Sequence, residues 1–163
     1  MLEAIKEKIS SHPDAQHIVA TWKENGERIA WTNGVFDILH QGHIKYLCAA
    51  RSLADRLVVG LNTDASVQKI KGPSRPVIDQ KSRALKLAAL QMVDLVVFFN
   101  QETPLDLIIQ LRPDFLIKGG DYRPADIIGA DFVTGYGGQV KVIPFEAGHS
   151  TSKIIEKIQN LPL

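Results

Sequence analysis

The sequence has little cysteine, almost no net charge and no long apolar run. Cys48 is the only cysteine among 163 residues, which excludes an intrachain disulfide and indicates a reducing compartment. The formal net charge is +1, so no overall field favours nucleic acid or an anionic membrane. No apolar stretch approaches the roughly 20 residues of a transmembrane helix, and the N-terminus lacks the apolar region of a signal peptide. We therefore expect a cytoplasmic protein that binds neither nucleic acid nor membrane.

Apolar runs that alternate with helical segments make up most of the chain. With 163 residues and a hydrophobic fraction of 45%, the chain is expected to form one globular domain. The strand-like runs are continuous, which is typical of a parallel sheet covered by helices on both faces. Five strands are predicted, at residues 29–32, 57–61, 95–98, 115–117 and 140–143. They predict an α/β fold, a doubly wound and mainly parallel five-stranded sheet.

Residues 1–26 are predicted to be an N-terminal helical extension of the domain at residues 27–163. Ile9 belongs by its spacing to a short amphipathic helix, and Pro13 separates this helix from a second one. Neither helix carries side chains with evident chemistry. We expect them to cover a sheet edge or to contact a partner, such as a second copy in a homodimer.

Residues 32–43 connect the first strand of the sheet to a helix. The segment contains Gly34 and Gly42 together with two histidines, His40 and His43. A glycine turn that leads into a helix N-terminus is typical of a phosphate site, because free N–H groups and the helix dipole favour anions. A triphosphate beside the imidazoles is expected to shift them toward the cation. The segment therefore indicates a nucleotide site; zinc is the alternative, but no further ligand motif accompanies the histidines.

Polar residues that follow the later strands fall where ligands of such sheets bind, beyond the carboxyl ends of the strands. Lys118 and Asp121 flank two glycines that allow a ligand close to the backbone. The lysine is expected to reach phosphate, and the aspartate to reach ribose or sugar hydroxyls. Three hydroxyls at 150–152 exceed what one helix cap needs and are expected to bind the β- or γ-phosphate. A further polar cluster occupies residues 62–64.

Four more residues have expected places. Lys71 lies in a Gly/Pro loop and is predicted to bind phosphate, with solubility as the competing explanation. Arg75 in the same loop is a second candidate for a phosphate ligand. Arg83, near a helix start, is expected on the helix surface as a salt-bridge partner. Cys48 lies on an apolar helix face and is expected in the core.

The motifs resemble those of a known superfamily. The pattern Thr32-x-Gly34-x-Phe36-Asp37-x-x-His40-x-Gly42-His43 resembles the signature of the HxGH nucleotidylyltransferases, which include cytidylyltransferases and the adenylyltransferases that make ADP-heptose. Residues 118–122 are similar to the Lys-Gly-Gly-Asp-Tyr segment of the heptose enzymes. Residues 148–155 resemble the C-terminal Ser/Thr motif of the superfamily. The resemblance extends from about residue 28 to about residue 158.

The resemblance implies a Rossmann-like nucleotidylyltransferase fold and a reaction. ATP would transfer AMP to D-glycero-D-manno-heptose 1-phosphate, giving ADP-heptose and pyrophosphate for lipopolysaccharide core or other surface heptose. Mg²⁺ would arrive with ATP and keep several waters, so no protein metal ligand is expected. Because the heptose enzymes are often fused to a sugar kinase and this chain is short, the resemblance implies a separate heptose kinase upstream in the pathway.

Residue roles follow from the motifs and the resemblance together. The catalytic set is His40, His43 and Lys71. The nucleotide-binding set is Thr32, Asn33, Gly34, Phe36, Asp37, Gly42, Gly119, Asp121, Ser150, Thr151 and Ser152. The substrate-binding set is Lys118 and Arg75. For Asp37 the pattern favours ordering of the turn, through bonds to backbone N–H groups, over a part in holding a metal.

Three alternatives to the heptose reaction are open at this stage. The first keeps the chemistry but uses CTP with glycerol 3-phosphate or a similar alcohol phosphate. A dinucleotide-dependent oxidoreductase is disfavoured, because no Gly-x-Gly-x-x-Gly follows the first strand. A non-catalytic nucleotide sensor is disfavoured by the histidine pair, which binding alone would not need.

Overall fold

The computed structural model describes residues 1–144 and 151–161. Their centre is one parallel sheet of six strands. Its strands are β1 Ile9–Ser10, β2 Ile29–Gly34, β3 Arg56–Asn62, β4 Leu95–Phe99, β5 Phe115–Gly119 and β6 Gln139–Ile143. The helices are α1 Leu2–Lys6, α2 His12–Glu24, α3 Gln41–Arg51, α4 Asp64–Lys71, α5 Gln80–Ala88, α6 Leu105–Leu111, α7 Ala130–Gly135 and α8 Thr151–Gln159, with a 3-10 turn at Pro124–Asp126.

The strand order is β1-β4-β3-β2-β5-β6, and every neighbouring pair is parallel. This confirms the predicted doubly wound α/β fold. Strand β2 pairs with β3 on one side and with β5 on the other, so the winding of the chain reverses at β2. Sheets of this kind open a crevice at such a reversal, beyond the carboxyl ends of the strands.

The sheet has one strand more than the five predicted. Ile9, expected on the first helix, instead forms strand β1 and pairs with Val96 of β4. The Val96 N–H donates to the Lys8 carbonyl at 2.7 Å. A two-residue strand is too short to leave a period in the sequence, and its stability comes from the edge backbone groups of β4. The N-terminal segment therefore adds a strand to the sheet as well as two helices.

Two apolar clusters fill the two faces of the sheet, because adjacent residues of a buried strand point in opposite directions. Val59 packs with helices α3 and α5 on one face. Val58 packs with helices α2, α6 and α7 on the other face. Cys48, predicted in the core, is exposed, because α3 turns Leu47 and Ala50 inward and leaves the cysteine on its outer side.

Candidate active site

A cleft opens beyond β2, β3 and β5 and consists of two adjoining cavities. The first lobe has a volume of about 230 Å³ and the second lobe about 450 Å³. Both are lined by the same six residues, Asn33, Gly34, Val35, Lys71, Lys118 and Tyr122. The first lobe adds Phe36, Asp37, His43, Tyr46, Arg75, Gly119 and Thr151. The second lobe adds Asn62, Ile70, Phe99, Glu102, Thr103, Pro104, Asp126, Ile127 and Ile128.

The turn after β2 is compact. Phe36 has a φ of +46°, a left-handed conformation that is uncommon for a bulky residue, and its ring is buried. A Cβ at Gly34 would lie 3.0 Å from that ring, so a larger residue there would push the ring away. Gly34 thus lets the turn fold over the end of β2 and bring its backbone to the first lobe.

The histidine pair lies at the start of α3, as the spacing predicted. His40 is the residue that precedes the helix, and His43 lies in its first turn. The two ring centroids are 3.9 Å apart. The His40 N–H donates to Nδ1 of His43 at 3.4 Å, so the neutral His43 ring carries its proton on Nε2. His43 lines the first lobe and His40 lines neither lobe; the backbone of His40 orients the His43 ring, and a catalytic part for the His40 side chain stays a prediction.

The pKa of His43 is lowered to about 4 in the surroundings that the protein provides. Burial is the main cause, and the nearby His40 and Lys71 act in the same direction. The imidazole is therefore neutral at pH 7 in the protein's own field. The expected shift toward the cation refers to the site with a triphosphate bound, and it stays a prediction.

Lys71 and Lys118 line both lobes. Lys71 is the last residue of α4 rather than a loop residue, and Gly72, with a φ of +92°, ends the helix directly after it. Burial lowers the pKa of both lysines. Among residues 1–144 and 151–161, neither ammonium group has a carboxylate partner; the Nζ of Lys118 lies 5.7 Å from the centre of the Tyr122 ring. The two charges are therefore available to anionic ligands.

Asp37 and Arg75 are paired with each other. The Asp37 carboxylate accepts from two guanidinium nitrogens of Arg75, at 2.9 and 2.8 Å. It also accepts from the backbone N–H groups of Val77 and Ile78 at 2.9–3.0 Å. Burial alone would raise the pKa of Asp37, but these donors outweigh burial and lower it. Asp37 thus holds the loop after α4 through backbone N–H groups, the kind of ordering role that its pattern favoured. Both residues line the first lobe, and their contacts with ligands stay predictions.

Arg83 is fully buried, so its predicted place on the helix surface is wrong. Its guanidinium donates to the carbonyls of Ile78, Val35 and Asn62 at 2.6–2.9 Å. It also pairs with Asp64 at 2.7 Å. The side chain therefore joins the ends of β2 and β3 to the loop before α5. The helical period gave no signal of this, because these partners lie in other segments.

Thr32 and Tyr46 form a buried pair behind the first lobe. Thr32, predicted to bind nucleotide, is fully buried, and its hydroxyl lies 2.6 Å from that of Tyr46. Burial raises the pKa of Tyr46 to about 12. Tyr46 lines the first lobe, so Thr32 acts on the cavity through it. The sequence signal for Tyr46 was its position three residues after His43, on the same helix face.

The other predicted residues divide into two groups. Asn33, Gly34, Phe36, Gly119 and Thr151 line the cleft. Gly42, Asp121 and Ser152 line neither lobe, and the last two are exposed. Ser150 lies outside the described residues. Thr151 begins α8, and its hydroxyl donates to the Ile38 carbonyl at 3.3 Å, which brings the N-terminus of α8 to the turn after β2.

The first lobe is suited to a polyphosphate. Lys71, Arg75 and Lys118 supply positive charge, and the first turns of α3 and α8 supply partial positive charge. Within residues 1–144 and 151–161, no three His, Cys, Asp or Glu side chains are grouped to hold a metal ion. The same residues contain no helix with both the length and the apolar character of a membrane span.

The sequence pattern of the family described as Cytidylyltransferase-like matches residues 31–157. The bifunctional protein HldE of Trichlorobacter lovleyi is 50% identical over 151 residues, which are 93% of this chain and 31% of that protein. HldE of Magnetococcus marinus is 51% identical over 152 residues, with the same coverage of 93% and 31%. The chain thus spans about a third of the length of these curated relatives.

Solved structures show the same fold. The lipopolysaccharide core biosynthesis protein from Thermoplasma volcanium is 29% identical and superimposes with a TM-score of 0.60, covering 76% of this chain and 100% of that one. A pantoate-beta-alanine ligase from Francisella tularensis gives a TM-score of 0.64 at 14% identity, over 94% of this chain and 78% of that one. At that identity the second likeness shows the fold alone.

Proposed function

The chain belongs to the cytidylyltransferase-like family and is a nucleotidyltransferase; from that premise we propose that it transfers AMP from ATP to D-glycero-D-manno-heptose 1-phosphate. The products would be ADP-heptose and pyrophosphate. The observation that carries the chemistry is the shared wall of the cleft, where Lys71 and Lys118 face both lobes. A donor phosphate in one lobe and an acceptor phosphate in the other would meet between these charges.

The reaction needs no general base. The sugar phosphate is already an anion at neutral pH, and one of its oxygens attacks the α-phosphorus of ATP as the bond to the pyrophosphate oxygen breaks. Catalysis then rests on position and on charge neutralisation. Lys71 and Lys118 would neutralise the phosphates that react, and the Nε2–H of His43 would donate to an oxygen of the α-phosphate or to the leaving oxygen. His40 would keep His43 in this orientation through the bond to Nδ1.

Mg²⁺ would accompany ATP rather than be held by a set of protein carboxylates. The Asp37 carboxylate in the first lobe is occupied by Arg75 and two backbone N–H groups, so it is a poor metal ligand. A Mg²⁺ ion bound to phosphate oxygens keeps several waters and needs few protein ligands. Its charge would add to that of the two lysines.

Adenine and heptose are preferred over cytosine and glycerol because of residues 118–122. Their resemblance to the heptose enzymes supports the sugar, and Lys118 of this segment lies on the shared wall. The likeness to the lipopolysaccharide core biosynthesis protein of Thermoplasma volcanium supports the same pathway. CTP with glycerol 3-phosphate remains the second candidate, because the family is described by cytidylyl transfer. A cytoplasmic location, a homodimer and a separate kinase remain predictions.

A matrix of substrates tests the assignment. Pyrophosphate release is measured with ATP, CTP, GTP and UTP, each against heptose 1-phosphate and glycerol 3-phosphate. We expect turnover with ATP and heptose 1-phosphate. Turnover restricted to CTP and glycerol 3-phosphate would contradict the proposed substrates but not the proposed type of reaction. Absence of pyrophosphate release with every pair would contradict nucleotidyl transfer itself.

Replacement of His43 tests the catalytic arrangement. We expect His43→Ala to lower kcat by about 10²–10³-fold, the usual cost of one donor to a developing charge, with little change in the KM for ATP. His17→Ala is the matched control, because His17 is exposed on α2. A His43→Ala enzyme with the kcat of the control would remove His43 from the mechanism.

A further inference from the structure

The second lobe differs in chemistry from the first. Apart from the shared lysines, its lining contains no cationic side chain among the described residues, and Glu102 and Asp126 bring negative charge to it. Phe99 and three isoleucines give it apolar surface. Such a lobe is unsuited to a polyphosphate. Carboxylates and amides beside apolar surface are instead the groups that bind the hydroxyls and the ring face of a sugar.

Asn62 is a polar residue of this lobe that its neighbours hold in place. It ends β3, next to Phe99 of β4 in the parallel register, and it is only 5% exposed. Its side-chain Nδ2 donates to the Ser66 hydroxyl at 2.9 Å, and its backbone carbonyl accepts from Arg83 at 2.8 Å. Within residues 1–144 and 151–161, its Oδ1 has no hydrogen-bond partner. The amide is thus fixed by its neighbours at the wall of the cavity, where its Oδ1 can accept a hydrogen bond from a ligand.

The same network reaches Glu102. Ser66, which accepts from Asn62, donates to the Gln101 carbonyl at 3.2 Å, so Asn62 and the loop that carries Glu102 are linked through one hydroxyl. Glu102 has no ion pair and no hydrogen bond in the part of the chain that the structure describes, and it lines the second lobe. The backbone next to Glu102 is therefore linked to Asn62, and the Glu102 carboxylate can accept hydrogen bonds at the same cavity.

We propose that Asn62 and Glu102 bind hydroxyl groups of the acceptor, so that the second lobe selects a polyhydroxylated sugar phosphate over a small alcohol phosphate. This inference rests on the proposed function, in which the acceptor phosphate lies between Lys71 and Lys118. With the phosphate there and the polyphosphate of the donor in the first lobe, the rest of the acceptor occupies the second lobe. Both side chains accept hydrogen bonds, and sugar hydroxyls donate them.

Direct binding tests the proposal without turnover. Affinities of heptose 1-phosphate, glycerol 3-phosphate and ATP are measured by calorimetry for the wild type and for Asn62→Ala and Glu102→Ala. We expect the wild type to prefer the sugar phosphate over glycerol 3-phosphate. Each variant should bind the sugar phosphate about 5- to 10-fold or more weakly, the cost of one hydrogen bond. The affinities for glycerol 3-phosphate and ATP should change less than about twofold. Asp106→Asn, at an exposed position of α6 that lines neither lobe, is the control.

The outcomes separate this proposal from the proposed reaction. Equal affinity of the wild type for the two phosphates would overturn it, and so would a loss of ATP affinity as large as the loss for the sugar. Glu102→Ala changes an exposed loop residue, so it keeps the test valid if Asn62→Ala fails to fold. If the preference exists and both variants abolish it, the proposal stands even where no pyrophosphate is released, and only the reaction would then be contradicted.

Discussion

The two walls of the cleft on either side of β2 are built differently. On the β3 side, the guanidinium of Arg83 is fully buried and that of Arg75 is 16% exposed, and both have carboxylate partners. On the β5 side, Asp121 and Tyr122 are exposed, and Gly120 has a φ of +118°. The first wall is held by buried charge, whereas the second is a glycine turn at the surface.

This difference shows that cations of one cleft serve two purposes. Arginine suits the wall on the β3 side, because its planar guanidinium donates hydrogen bonds in several directions at once. Lysine presents a compact charge on a flexible stem, and Lys71 and Lys118 present theirs without a carboxylate partner among the described residues. We therefore expect changes to the paired arginines to reduce stability, and changes to the two lysines or to the glycine turn after β5 to reduce binding.

The largest expected effect on stability is at Arg83, in the wall on the β3 side. Arg83→Met should lower the free energy of unfolding by about 3–5 kcal/mol, because it leaves a carboxylate and three carbonyl oxygens without their donor. Urea unfolding of the variant measures this loss. Arg123→Met is the control, because its pair with Asp126 is exposed and should contribute little. A loss below about 1 kcal/mol at Arg83 would remove the contrast between the walls.

Asp37→Asn should cost less, about 2–3 kcal/mol, because Arg75 keeps some access to water. The pKa of Asp37 is lowered in the folded state, so its contribution is present above the ordinary carboxyl pKa of about 3.9. That contribution is lost as the pH falls below this value toward the folded pKa. The difference in unfolding free energy between wild type and variant should therefore shrink as the pH falls below about 4; a constant difference would contradict the assignment.

The smallest expected effect on stability is at Tyr122, in the wall on the β5 side. Tyr122→Ala should change the free energy of unfolding by less than about 0.5 kcal/mol, because the ring is exposed. The ring faces Lys118 and lines both lobes, so substrate KM values should rise a few-fold, as for loss of a contact of about 0.5–1 kcal/mol. Thermal melts and initial rates on one preparation measure both. A large fall in melting temperature would show that this wall is also structural.

Local patterns predicted the parts of the site that lie close together in the chain. The spacing of His40 and His43 placed both at the start of α3, and the continuous apolar runs predicted the parallel sheet. Contacts between distant segments were not predicted. Arg83 meets partners up to 48 residues away, and the spacing of its helix carries no trace of them.

The exposed turns were also beyond local patterns. Asp121 follows the glycine pair and was predicted to contact a ligand; it is exposed and lines neither lobe, so that contact stays a prediction. Thr32 belongs to the signature but is turned inward to Tyr46. Which way a side chain points after a strand depends on the local twist and on glycine conformations such as that of Gly120, and residue type alone does not determine these.

The position of Lys71 and Lys118 between the two lobes has a thermodynamic consequence. In the proposed reaction, donor and acceptor draw on the same two ammonium groups, so each substrate partly neutralises the field that the other needs. The two binding events are then anticooperative, and linkage requires the penalty to be equal in both directions. The bond from an acceptor phosphate oxygen to the α-phosphorus forms as pyrophosphate leaves, and this relieves that repulsion. The ternary complex is thereby made less stable than two separate binding energies would suggest, and its free energy lies closer to that of the transition state.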